Sequence, residues 1–155
     1  MNSETVKPDQ FASYRHWRVA MESLDACLNR TLGLDGLSLA ELRVLLVLSE
    51  ASDRRLRMSD LASDAHHSPS RSSHTITRME SRGWVKRIPH ETDRRVIYVT
   101  TTPAGVALFT KVMPRYEAAI KRWFVDAVGP ARINELDQDM CRVIVATNDA
   151  TVFGV

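Results

Sequence analysis

Two stretches of this sequence gather side chains that could grip phosphate or a base edge. Residues 90–103 read HETDRRVIYVTTTP, which sets Asp93 directly against Arg94 and Arg95 before an alternating β-branched run. Residues 68–82, SPSRSSHTITRMESR, carry Ser70, Arg71, Ser73, His74, Thr77 and Arg78 within a few turns of chain. Guanidinium groups donate paired hydrogen bonds to phosphate or to guanine O6/N7, and short hydroxyl side chains let a backbone approach a polar surface. Asp93 suits a different task. It can order a turn through its own backbone and orient a neighbouring arginine by a charge-assisted hydrogen bond.

The charge distribution agrees with that chemistry. The net charge is only +2, yet the segment from Arg54 to Arg95 holds ten Lys/Arg against five Asp/Glu, and four of the five histidines. A basic centre between slightly acidic arms fits a polyanion surface, although a solvated basic face would look the same.

These residues need elements to position them. In 68–82, Ser68 is a helix N-cap, Pro69 occupies the first helical position and Gly83 stops the helix after Arg82. Winding that helix buries Ser72, Ile76 and Met79 and exposes Ser70, His74, Thr77 and Ser81, with Arg71 and Arg78 along one shoulder. MSDLASDA at 58–65 predicts a short helix with Leu61, Ala62 and Ala65 inward, so the pair forms a helix-turn-helix. WVKRIP and RVIYVTT predict a hairpin whose tip is HETD.

Around this centre, apolar residues from Phe11 to Leu32 recur at helical spacing (Phe11, Tyr14, Trp17, Met21, Leu24, Leu28, Leu32) until Gly33 and Gly36. SLAE at 38–41 has the form of a capping box and opens a second helix through Leu48, which ASDRR breaks. Thr102 caps a long helix starting at Pro103 and running through Phe124. VGPA at 128–131 breaks it, and Ile133 to Ile144 define a last helix. The fold class expected is mainly α with a small β component (α+β). The first and the last two helices carry apolar stripes longer than the central module can cover, which predicts a homodimer.

Serines and threonines on the exposed face of 68–82 are poor choices for helix stability, where Lys, Glu or Ala would serve better. They suit a helix lying in a DNA major groove, with an arginine on the adjacent β-ribbon reaching into the minor groove. A winged-helix module that engages protein or RNA is the alternative.

Other classes find little support. No glycine-rich phosphate loop, nucleophile motif or metal spacing marks an enzyme, and no cofactor is expected. His66 and His67 are adjacent in a turn without carboxylate or thiolate partners, so no metal site is expected. Cys27 and Cys141 form no CxxC and read as buried thiols. The longest apolar run, VLLVL at 44–48, is far short of the ~20 residues that span a bilayer, and the N-terminus lacks a signal peptide's apolar core. A soluble cytoplasmic protein is expected.

In order and spacing, LSLAELRVLLVL, MSDLASDAHHSPSRSSHTITRMESRGWVKR and DRRVIYVTTTPAG resemble the MarR (multiple antibiotic resistance regulator) family of winged helix-turn-helix transcriptional regulators. The resemblance implies one unit over 1–155, a DNA-binding lobe at 37–101 and dimerisation helices at 9–32 and 103–148. It implies that Arg95 enters the minor groove with Asp93 as its orienting partner; Arg94 reads as a phosphate contact or a solvated charge. Ser70, Arg71, Ser73, His74, Thr77 and Arg78 would lie on the recognition helix. Many family members have arginine where this chain has His74, and a histidine beside phosphates would make binding pH-sensitive. The resemblance also implies a ligand-responsive repressor on a pseudo-palindromic operator. Its small phenolic or lipophilic effector would lie in a cleft lined by His16, Trp17 and Arg43.

Overall fold

The computed structural model describes residues 5–51, 53–65, 68–93 and 95–152; His66, His67 and Arg94 lie outside the described residues. The chain divides into two compact units, Met1–Tyr116 and Glu117–Val155.

The first unit opens with α1 (Pro8–Gly33), followed by α2 (Leu39–Glu50), β1 (Arg55–Arg57), α3 (Met58–Asp64), α4 (Pro69–Ser81), β2 (Val85–Pro89), β3 (Ile97–Thr101) and α5 (Pro103–Ile120), whose last turn enters the second unit. Helices α2, α4 and α5 begin where the sequence supplies a side-chain acceptor for orphan N–H groups. Ser38 Oγ accepts from the N–H of Glu41, whose carboxylate accepts in return from the Ser38 N–H at 2.7 Å. Ser68 Oγ accepts from Arg71 N, and Thr102 Oγ1 from Gly105 N at 3.1 Å. Gly36 and Gly83 take positive φ in the turns after α1 and α4, a conformation that glycine adopts without a Cβ penalty.

The three strands are ordered β1-β3-β2, antiparallel throughout, and one row of the register sets Leu56, Val99 and Arg87 side by side. Alternation therefore turns Val85, Arg87, Val99 and Leu56 to one face. Val85 and Val99 are buried there, as are Leu42, Leu45 and Leu48 of α2, Leu61 of α3, and Ile76 and Met79 of α4. Burying such a side chain contributes about 1.5–3 kcal/mol, so this cluster holds α4 against α2, α3 and β2. The inward residues expected on α3 and α4 are all buried, and Thr75 joins them. Strand β1 was not anticipated. It is three residues long with one apolar side chain, and only its non-local pairing with β3 makes it a strand.

Asp35, in the turn after α1, ties that turn to α5. Its carboxylate is 2.8 Å from Lys111 Nζ and also pairs with Arg115. The Lys111 hydrogen bond, with the Arg115 charge beside it, holds this carboxyl below its ordinary pKa of 3.8 even though desolvation opposes the shift. Because the folded value lies below the unfolded one, the pair adds stability above the unfolded pKa and loses it as pH falls through the folded one. Asp35→Asn should therefore lower the urea midpoint near pH 7 and narrow the difference between about pH 7 and pH 3. Equal losses at the two pH values would refute this.

The second unit contains a π-helical stretch (Lys121–Val125), α6 (Asp126–Val128), a 3-10 turn (Pro130–Arg132) and α7 (Ile133–Val152). Gly129, with φ 92°, makes the break expected at VGPA. Pro114 sits inside α5, where it removes one ladder hydrogen bond while the helix continues. The cysteines correct an expectation: Cys27 is only half-buried, with Arg30 Nη2 at 3.0 Å from its sulfur, and Cys141 is exposed. Cys141 lies on α7 next to exposed Val143, Ile144 and Val145, a helix whose apolar side chains are largely uncovered in the single chain. Among the described residues, no helix is long and apolar enough to cross a membrane.

Candidate nucleic-acid interface

Helix α4 presents Ser70, Arg71, Ser73, His74, Thr77, Arg78 and Ser81 as exposed residues, opposite its buried Ser72, Ile76 and Met79. Short hydroxyls lie on this face, and a cation or imidazole lies at its shoulder. Such a surface can donate to and accept from base edges with its backbone close by.

Arg78 is less free than the sequence implies. Its Nε donates to Glu41 Oε1 at 2.8 Å and its Nη2 lies 3.3 Å from Ser38 Oγ, so the capping box of α2 holds it. Arg82, one residue past α4, donates to the Gly36 carbonyl at 2.6 Å and approaches Glu41 to 3.9 Å. Glu41 itself is 1% exposed. Arg71 carries no such tether among the described residues.

The hairpin closes through His90 N to Val96 O and Val96 N to Asp93 O, both 3.0 Å. Asp93 Oδ1 accepts from the backbone N–H of Arg95 at 2.9 Å. Asp93 thus orders the turn as expected. Among the described residues its carboxylate holds Arg95 by the main chain, leaving the guanidinium exposed. His90 supports the same turn: its Nδ1 accepts from the N–H groups of Thr92 and Asp93, and its ring stacks on Tyr98.

Arg87 on β2 joins the hairpin to the exposed side of α4. Its guanidinium binds Glu80 and also reaches Ser73 O and Thr77 Oγ1, while its N–H donates to Glu80 Oε1. That N–H, with the guanidinium, holds the Glu80 carboxyl below the usual carboxylate range. Arg87 carries no local motif that marks this role. Opposite charges on either side of the Gly83 turn were the available signal.

A pocket of about 500 Å³ opens between α1, the start of α2 and α4. Asp25, Asn29, Arg43, Arg71, His74 and Arg78 are among its lining residues, and Arg43 Nη2 is 3.3 Å from Asp25. Of the three candidate ligand residues, only Arg43 lines it. His16 is exposed and Trp17 half-buried, both nearer the start of α1. Among the described residues, no group of three or more His, Cys, Asp or Glu could hold a metal ion.

The MarR family profile matches residues 35–96. AbsC, a MarR family transcriptional regulator from Streptomyces coelicolor, is 31% identical with a TM-score of 0.87, over 95% of this chain and 99% of its own. The chain belongs to the MarR family. Its mostly helical fold with a three-stranded antiparallel sheet is the winged helix of these transcriptional regulators. In MarR-family terms α3 and α4 form the helix-turn-helix, and β2 and β3 the wing. Sco3205, another MarR family regulator from Streptomyces coelicolor, solved in complex with DNA, is 28% identical with a TM-score of 0.87, over 92% of this chain and 94% of its own. BpsR from Bordetella bronchiseptica, whose DNA binding is regulated by 6-hydroxynicotinic acid, is 22% identical with a TM-score of 0.73, over 84% of this chain and 98% of its own. No curated protein sequence matches the chain.

Proposed function

We propose that this protein is a cytoplasmic, effector-responsive repressor that binds a pseudo-palindromic operator as a homodimer. The observation that carries the reading is the exposed polar face of α4 beside a wing whose tip presents Arg95. Ser70, Arg71, Ser73, His74 and Thr77 would meet base edges and phosphates in the major groove. Arg95, and Arg94 with it, would meet the minor groove and its phosphates, and Arg78 would bind phosphate through the half of its side chain left exposed. That Sco3205 was solved in complex with DNA supports DNA binding by this chain.

Each unit leaves apolar residues uncovered, Phe11, Tyr14 and Val19 in the first and Trp123, Val143 and Ile144 in the second. A second copy would cover them, and two-fold symmetry would then place two α4 helices about one DNA turn, ~10 bp, apart.

The effector would be a small phenolic or lipophilic molecule with an anionic group, taken up in the pocket by Arg43, Arg71 and His74. The last two would also serve DNA, so an occupied pocket favours the unbound state. Only such differential affinity shifts the equilibrium. The aromatic acid that regulates BpsR supports this choice of ligand class.

The test is selection of bound duplexes from a random-sequence library at fixed salt. A two-fold repeated site is expected, and no enrichment would refute the reading. On the selected duplex, Arg95→Ala should weaken binding by about 1–3 kcal/mol while leaving the urea midpoint unchanged. Unaltered affinity would remove the wing from the interface.

A further inference from the structure

We infer that Arg87, on the wing strand β2, sets the hydrogen-bonding polarity of Thr77 and thereby the base accepted at one position of each half-site. The inference rests on the DNA-binding reading above and adds which base α4 reads there and why.

A threonine or serine hydroxyl in a helix commonly donates to the carbonyl four residues earlier. Two side chains of α1 do this: Thr31 donates to Cys27 O and Ser13 to Asp9 O, both at 3.0 Å. At Thr77 the corresponding carbonyl belongs to Ser73, and Arg87 Nη2 occupies it at 3.2 Å. The same nitrogen lies 3.0 Å from Thr77 Oγ1. A guanidinium can only donate, so Thr77 Oγ1 is the acceptor in that contact and its own proton is left to point outward.

Arg87 is well placed to impose this. Its side chain is 24% exposed, and Glu80 holds both its guanidinium and its backbone N–H. The cation is thus fixed behind the α4 surface, where it sets the direction of the hydroxyl that Thr77 exposes. An outward O–H donor matches guanine O6/N7, adenine N7 or thymine O4. It is a poor match for cytosine, whose major-groove edge offers only the N4 amino donor. That amino group could use only the one lone pair that Arg87 leaves on Thr77 Oγ1, beside a cation already donating to the same oxygen and with the hydroxyl proton turned toward it.

The test uses the full chain and the duplex selected above, with each position of one half-site changed in turn to all four base pairs. At one position the wild type should prefer an acceptor-bearing base over cytosine by roughly three- to tenfold. Thr77→Val should erase that preference and Thr77→Ser should retain it. Arg87→Met frees the Ser73 carbonyl, so Thr77 can donate inward and expose a lone pair; cytosine should then be accepted at that same position. An unchanged profile in Thr77→Val, a wild-type preference for cytosine there, or an even loss across all positions in Arg87→Met would overturn the inference. Should Arg87→Met fail to fold, the two Thr77 variants decide. A wild type that enriches no duplex would instead refute DNA binding, and this inference with it.

Discussion

Gly105→Ala is expected to destabilise the protein by about 3 kcal/mol, although a helical glycine replaced by alanine ordinarily gains up to about 1 kcal/mol. Gly105 lies in the first turn of α5 and is buried. A Cβ there would stand 2.1 Å from the Trp84 carbonyl oxygen, 3.0 Å from its carbon and 2.8 Å from Thr101 Cγ2. The obstacle is backbone, and that backbone is held on several sides. Trp84 O accepts from Thr102 N, Trp84 N donates to Met79 O, and the Thr102 hydroxyl donates to Gly83 O. Moving α5 away would open the junction where α4, β2 and α5 meet. Gly33, at the end of α1, has nothing within 4 Å of its added Cβ and serves as the control; its alanine variant should match or exceed the wild type. Urea unfolding at one protein concentration reads both, since a dimer's stability varies with concentration. A midpoint for Gly105→Ala within error of the wild type would show that the junction yields.

Gly105 also marks where sequence reasoning loses its hold. Helix starts were legible at Ser38, Ser68 and Thr102 because cap and partner lie within three residues of each other, and the buried face of α4 followed from spacing alone. What escaped depends on chain segments far apart in sequence. β1 is a strand only because Leu56 pairs with Val99, and Gly105 is constrained by the Trp84 backbone, far from it in sequence, and by Thr101. In the candidate site, the exposure of Ser70, His74 and Thr77 could be read from periodicity, and the ordering role of Asp93 from turn chemistry. The tether of Arg78 to Glu41 spans 37 residues, and the grip of Arg87 on Thr77 crosses from strand to helix. No local pattern announces which guanidinium on a basic segment is committed internally and which is free for a ligand.

Glu41→Ala should cost about 2–4 kcal/mol, and the reason lies in how many donors one buried carboxylate serves. Oε2 accepts from the Ser38 N–H and the Ser38 hydroxyl at 2.7 and 2.8 Å, closing the cap of α2. Oε1 accepts from Arg78 Nε at 2.8 Å, which ties the recognition helix to that cap. Losing the cap accounts for about 1 kcal/mol, and hydrogen bonds to a charged group for about 1.5–3 kcal/mol. The larger penalty of a stranded buried charge does not apply, because Arg78 is half exposed and can turn to water once released. Glu41→Gln keeps the volume but turns an amide donor toward one of these donors, so it should fall between alanine and wild type. A double-mutant cycle with Arg78→Ala separates the two roles. Coupling of about 1 kcal/mol is expected if the tether contributes beyond the cap. Additive losses would confine Glu41 to capping α2 and leave α4 held by its apolar face and by the Arg82 and Arg87 contacts.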